Sequence, residues 1–235
     1  MRPAHCLVPL ALWLAFLLAP AAAQQAQPDL APGDYITERG WGQLTIAKDR
    51  FEIIAVGANG HTCSLDGKRA GAEGRTDDDD DVCRVQFTAR ADGIEAKAKT
   101  PDTCRNFCGM RAQFEGLYLK PAPGCLDDER EKTQKAFKAA YVAKDYPKAR
   151  ELMAGMLAAC GRTRGMMEGA GARNDLAITL FHLGRKDECL ATLQPLTKDA
   201  ARSDAKLRED YPPSDFESWL PLVKAARKNL QLCRS

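Results

Sequence analysis

Two cysteines four positions apart, Cys104 and Cys108 in TPDTCRNFCGMRAQFEG, are the residues of this chain best placed to do chemistry. Such a pair can exchange disulfides, hold a metal or serve as a cross-link. Thioredoxin-type exchange wants two residues between the cysteines at a helix N-terminus, and three stand here. Haem c attachment wants a histidine after the second cysteine, where Gly109 stands. Structural zinc wants four ligands, yet past the N-terminal segment only His61 and His182 are present, at no ligand-like spacing. A cross-link is the expected role, with a thiol–disulfide enzyme at Cys104 and Cys108 as the rival reading. Neither a metal nor a cofactor is expected.

Other candidates are weaker chemically. The run Asp77, Asp78, Asp79, Asp80 and Asp81 in RTDDDDDVC fails as an EF-hand, because Val82 and Thr88 stand where glycine and glutamate are required. Blocks of like charge belong on solvated loops; this one could also meet a basic partner or hold calcium loosely. His61, Ser64 and Asp66 contain the residue types of a hydrolytic triad. They crowd onto one short strand, and the G-x-S-x-G elbow is absent, so no catalytic residue is expected among them. His61 is expected to serve its turn, His182 to pack or project from a helix, and Trp41 to pack into the core. Asn174 and Asp175 are expected to cap a helix; alternatively Asn174, Ile178 and Phe181 would line a groove.

The compartment follows from the N-terminus. MRPAHCLVPLALWLAFLLAPAAAQQ joins a positive start, a short apolar run and small residues before Gln24, the pattern of a signal peptide over residues 1–23. The run is too short to span a bilayer, and no later stretch reaches about 18 apolar residues. A periplasmic or secreted protein without membrane insertion is expected. Of the nine cysteines only Cys6 falls in that segment. Cys63, Cys83, Cys104, Cys108, Cys125, Cys160, Cys189 and Cys233 make an even set, read as disulfides in an oxidising compartment. Chain layout suggests the pairs 63–83, 104–108, 125–160 and 189–233. The formal net charge of +2 gives no concentrated basic face, so a nucleic-acid partner is not expected.

The elements that must position these residues fall into two regions. A flexible lead over 24–33 precedes a region, 34–124, of short alternating strands at 42–47, 50–57, 61–67, 82–89, 93–99 and 114–121. Asn59-Gly60, Asp66-Gly67 and Asp92-Gly93 supply turns. Over 125–235 apolar residues recur at three- and four-residue steps, giving five or six helices in hairpins. Pro147 suits a first helical turn, Ser214 and Glu217 make a capping-box pattern, and the glycine-rich 160–173 reads as a separator. The fold class is α+β: a small disulfide-stapled antiparallel β barrel or sandwich followed by an α-helical hairpin domain.

Asn174 to Leu196 resembles a tetratricopeptide-repeat unit, through the pair Leu176-Ala177, the turn glycine Gly184 and the small residue Cys189. Tyr146 and Ala149 resemble the turn of a second unit, although Ala149 and Cys189 lie 40 residues apart against about 34 in the repeat. The resemblance implies stacked hairpins with a concave protein-binding face. The segment HTCSLDG and the strand layout resemble the small barrels of bacterial lysozyme inhibitors. The function class expected is an exported, non-catalytic binding protein with an unidentified protein partner, inhibition of a cell-wall hydrolase such as lysozyme being its sharpest form. A structural envelope protein is the third reading.

Overall fold

The computed structural model describes residues 30–78 and 80–235. The expected signal peptide, the first part of the lead and Asp79 lie outside the described residues. The strands are β1 (Gly33–Thr37), β2 (Gly42–Ile46), β3 (Arg50–Val56), β4 (Thr62–Ala70), β5 (Glu73–Thr76), β6 (Arg84–Arg90), β7 (Gly93–Ala98) and β8 (Gly116–Leu119). The helices are α1 (Pro101–Cys104), α2 (Asp127–Val142), α3 (Tyr146–Ala159), α4 (Met166–His182), α5 (Lys186–Leu193), α6 (Thr197–Ala200), α7 (Asp204–Asp210) and α8 (Pro213–Arg234).

Each strand pairs antiparallel with the next, and β1 pairs with β8, so the sheet closes into an up-and-down barrel. Closure leaves no free edge among these strands. Alternation then sends one side chain in two to the interior. Leu44 and Ile46 of β2, Phe51 and Ile53 of β3, Leu65 of β4, Val85 and Phe87 of β6 and Tyr118 of β8 fill it. The Tyr118 hydroxyl is satisfied inside by donating to the Phe114 carbonyl at 2.6 Å, and burial pushes its pKa well up.

Two strands escaped the sequence pattern. The interior positions of β5 are Gly74 and Thr76, so EGRT carries no apolar alternation. β1 follows a polar lead and is completed only by partners on both sides. The lead is also not loose where it is described, since Leu30 is buried in the barrel core.

In an up-and-down barrel, alternate connections share one end. The segment between β7 and β8, containing α1 and a 3₁₀ turn at Arg105–Phe107, therefore lies at the same end as the β3–β4 and β5–β6 connections. It is stapled there twice, by Cys63–Cys108 and Cys83–Cys104. This corrects the expected pairs 63–83 and 104–108. Cys63 opens β4, whereas Cys83 sits beyond the acidic loop, just before β6. What each meets is the crossing segment: Gly109 N–H donates to the Thr62 carbonyl at 2.8 Å and the Thr103 hydroxyl to the Val82 carbonyl at 2.7 Å.

The helices have a separate core containing Phe137, Met153, Leu180, Leu193, Trp219 and Val223. Cys125–Cys160 joins the open ends of the α2–α3 hairpin, and Cys189–Cys233 ties α5 to the end of α8, both as the layout suggests. Pro147 lies in the first turn of α3, whose N-cap Asp145 accepts from Lys148 N–H. Lys144 takes the left-handed conformation at the α2–α3 turn, and Gly184 takes it at α4–α5. The glycine-rich 160–173 is not a separator throughout: from Met166 it is the first part of α4.

Candidate functional site

Among the described residues, barrel and helices meet at three polar points. Arg39 N–H donates to the Arg162 carbonyl at 2.7 Å, and the Arg162 guanidinium reaches Asp92 at 3.2 Å. At the β3–β4 connection, Asn59 takes the left-handed backbone conformation at φ 58°. Its N–H donates to the Asp215 carboxylate at 3.1 Å, and its Oδ1 accepts from the Ser214 N–H and hydroxyl at 3.1 and 3.0 Å. Ser214 is thus spent on the barrel. α8 instead starts after Pro212, with Pro213 leading, and the expected Ser214–Glu217 capping box does not form. Asn59→Gly keeps the positive φ and deletes both side-chain bonds, so it is expected to cost about 1 kcal/mol. Urea denaturation checks the cost, and faster proteolysis of the 57–61 turn would accompany it.

Between these contacts lies a cleft of about 600 Å³. One wall is the outer face of β2 and β3, and the opposite wall is the start of α2, the start of α4 and Asp215. β3 alternates strictly, so the partners of the buried Phe51, Ile53 and Ala55 face outward. Ile54 and Val56 therefore stand 49% and 53% exposed in the cleft, and Met166 of α4 faces it at 52%. Three of the six large, exposed apolar side chains among the described residues converge here. Trp41, half-buried, packs its ring 6.1 Å from Tyr118 and also lines the cleft. The charges at the rim are largely self-satisfied. Arg130 is buried and reaches the Cys125 carbonyl, Asp127 at 2.6 Å and Glu168 at 3.3 Å.

The sequence candidates are placed as follows. Cys104 and Cys108 are not bonded to each other but to different parts of the barrel. In the acidic loop, Asp77 pairs with Arg50 at 2.9 Å, and Asp81 accepts from the Asn106 amide at 2.9 Å. Asp78 Oδ1 accepts from the N–H groups of Asp80 and Asp81 at 2.9 and 3.0 Å. Among the described residues no group of three or more His, Cys, Asp or Glu side chains is arranged to hold a metal. His61 has its ring against Gly109, and Asp66 pairs with Arg50 at 3.1 Å. His182 is exposed, stacked on Tyr146 at 4.5 Å and bonded to the Tyr141 hydroxyl at 3.1 Å.

Asn174 corrects its expected role. It lies in the middle of α4, not at a cap, and is buried against α8. Its Nδ2 donates to the Leu222 carbonyl at 3.0 Å, and its Oδ1 accepts from Asn229 at 3.2 Å. α8 therefore occupies the Asn174 end of the face on which Ile178 and Phe181, both half-buried, also lie. Asp175, the other expected cap, is mid-helix too. Burial pushes its carboxyl above the ordinary value, and Lys138 pulls it only part of the way back. With the folded pKa above the unfolded one, the native state binds the proton more tightly. Stability then falls as pH rises from the unfolded value through the folded one. Asp175→Asn is expected to raise stability at pH 7 and to change little at pH values below both; denaturation midpoints at the two pH values check it.

The cleft left only half a signal in the sequence. The outward Ile54 and Val56 break the polar side of the β3 alternation, but Met166 sits in a stretch that reads as linker. Compared with protein-family models, curated proteins and solved structures, the chain matches none.

Proposed function

We propose that this is an exported, non-catalytic binding protein that seats an extended apolar segment of a partner protein in the cleft between barrel and helices. The observation that carries the reading is the convergence of Ile54, Val56 and Met166 on one concave surface between two regions. Exposed apolar patches of this kind, rimmed by polar groups, are how soluble proteins engage partners. Export is supported by four disulfides and the leader pattern at 1–23; no helix among the described residues is long and apolar enough to cross a membrane. Against the thiol–disulfide rival stands the bonding of Cys104 and Cys108 to separate barrel cysteines. The helical hairpins and barrel layout fit the repeat-like and inhibitor-like resemblances as architecture.

Affinity capture from an envelope extract, with purified lysozyme as a trial ligand, tests the reading. Wild type is expected to retain a partner that Ile54→Glu/Val56→Glu loses, since both side chains are on the outer face and the core is untouched. Equal capture by both proteins would sink it. Loss on neutralising Asp78 and Asp80 instead would move the contact to the acidic loop and favour a basic hydrolase as the target.

A further inference from the structure

A second cavity, of about 400 Å³, lies within the helical region and is lined by the loop before α4, by α4, α6 and α8. Its distinguishing residue is Arg164, only 6% exposed. The Arg164 Nη2 donates to the Met156 carbonyl at 2.8 Å, closing the end of α3, but Nε and Nη1 have no partner among the described residues. A buried guanidinium left with two unmade donors is costly, and in native proteins such a group calls for a water or an ion.

The surrounding charge sharpens the choice. Asp199 is the one acidic residue lining the cavity among the described residues, and it is already spent. Its Oδ1 accepts from Arg202 at 3.0 Å, and its Oδ2 from the Tyr211 hydroxyl and Trp219 Nε1 at 2.6 and 2.9 Å. Glu168, the acidic neighbour that favours the charged Arg164, is shared with Arg130. Arg173 donates to the Thr192 carbonyl at a long 3.5 Å, and Lys198 has no ion-pair partner among the described residues. Arg164, Arg173 and Lys198 thus leave a positive surplus on the cavity wall. Beside it stand Leu157, Leu196 and Trp219, an apolar flank.

We infer that this cavity is a site for a small organic oxyanion, a carboxylate or phosphoryl group on an apolar body, held by Arg164, Arg173 and Lys198. A guanidinium fork suits such a group; Nε and Nη1 are closed off from the open space, so the anionic group takes these unmade donors when the Arg164 side chain turns into the cavity. The volume falls in the range of small-ligand pockets. The cavity adjoins the cleft proposed for a protein partner, Gly165 and Met166 lining both, but the residues that carry the two readings on their far walls differ and neither reading depends on the other.

The test is a thermal-melting and calorimetric titration of the full mature chain at constant ionic strength. Inorganic phosphate and benzoate serve as probes and chloride as the control. At least one probe is expected to raise the melting temperature saturably above the chloride control. Arg164→Met and Lys198→Gln should each weaken its binding at least tenfold. A response to phosphate alone assigns a phosphoryl ligand, and one to benzoate alone a carboxylate. If Arg164→Met does not fold, Lys198→Gln at its exposed position carries the test by itself. No shift beyond chloride with either probe, or wild-type affinity in Lys198→Gln, overturns the site.

Discussion

Replacing Cys63 and Cys108 together by alanine is expected to lower stability by about 4 kcal/mol. The bond closes a sequence separation of 45 residues. Cross-links act largely by restricting the unfolded chain, and the loop-entropy relation gives about 4 kcal/mol for that length. The Cys83–Cys104 bond, with a separation of 21, is worth about 3 by the same relation. Both losses fall on one barrel of modest core, so either double variant should unfold at a much lower urea concentration. The pairing itself gives a sharper readout. Cys63→Ala/Cys108→Ala should show no free thiol when unfolded, because Cys83 and Cys104 remain bonded. Cys63→Ala/Cys83→Ala should expose two, at Cys104 and Cys108. The reverse outcome would restore the pairing suggested by chain layout.

Phe87→Ala is the second large effect, expected to cost about 3–5 kcal/mol. Phe87 is fully buried in the barrel, with its ring 5.3 Å from that of Phe51 at 62°. The space for both rings exists because β5 places a glycine opposite them. A Cβ built on Gly74 would lie 2.7 Å from Phe51 and 2.8 Å from Phe87. Removing the Phe87 ring leaves a cavity that a closed barrel cannot collapse by shifting one strand, since every strand is paired on both sides. Gly74→Ala should destabilise in its own right, by about 1–3 kcal/mol through overpacking. In a Phe87→Leu background that cost should shrink, because the smaller side chain leaves room for the methyl group. Urea denaturation of the four proteins gives the coupling directly. Strict additivity would mean that Gly74 and Phe87 do not share the space assigned to them.

Six of the eight strands were legible because their alternation is carried by apolar residues, as in Phe51, Ile53 and Ala55. β5 was not, because its inward positions are Gly74 and Thr76, chosen to fit neighbouring rings and not for hydrophobicity. The helical hairpins were visible from spacing alone, whereas Asn174 looked like a cap. Polar residues suit caps on local grounds, and only α8, 48 residues onward in the chain, provides the Leu222 carbonyl that holds it mid-helix. Ser214 failed as a cap for the converse reason, since Asn59 of the barrel claims its hydroxyl.

The chain by itself determined most of its element types, the order of barrel region before helices, and an even set of eight cysteines after residue 23. These are properties of period and composition, set within a few residues. Which cysteines meet, which outward apolar residues share the cleft, and which arginine is left with unmade donors were decided by the tertiary structure alone. Barrel closure carries the β7–β8 crossing over to β4 and β6, and helix packing buries Arg164 with Nε and Nη1 unpartnered. Both are contacts between residues far apart in sequence, whose partners are fixed only when all the surfaces are packed at once.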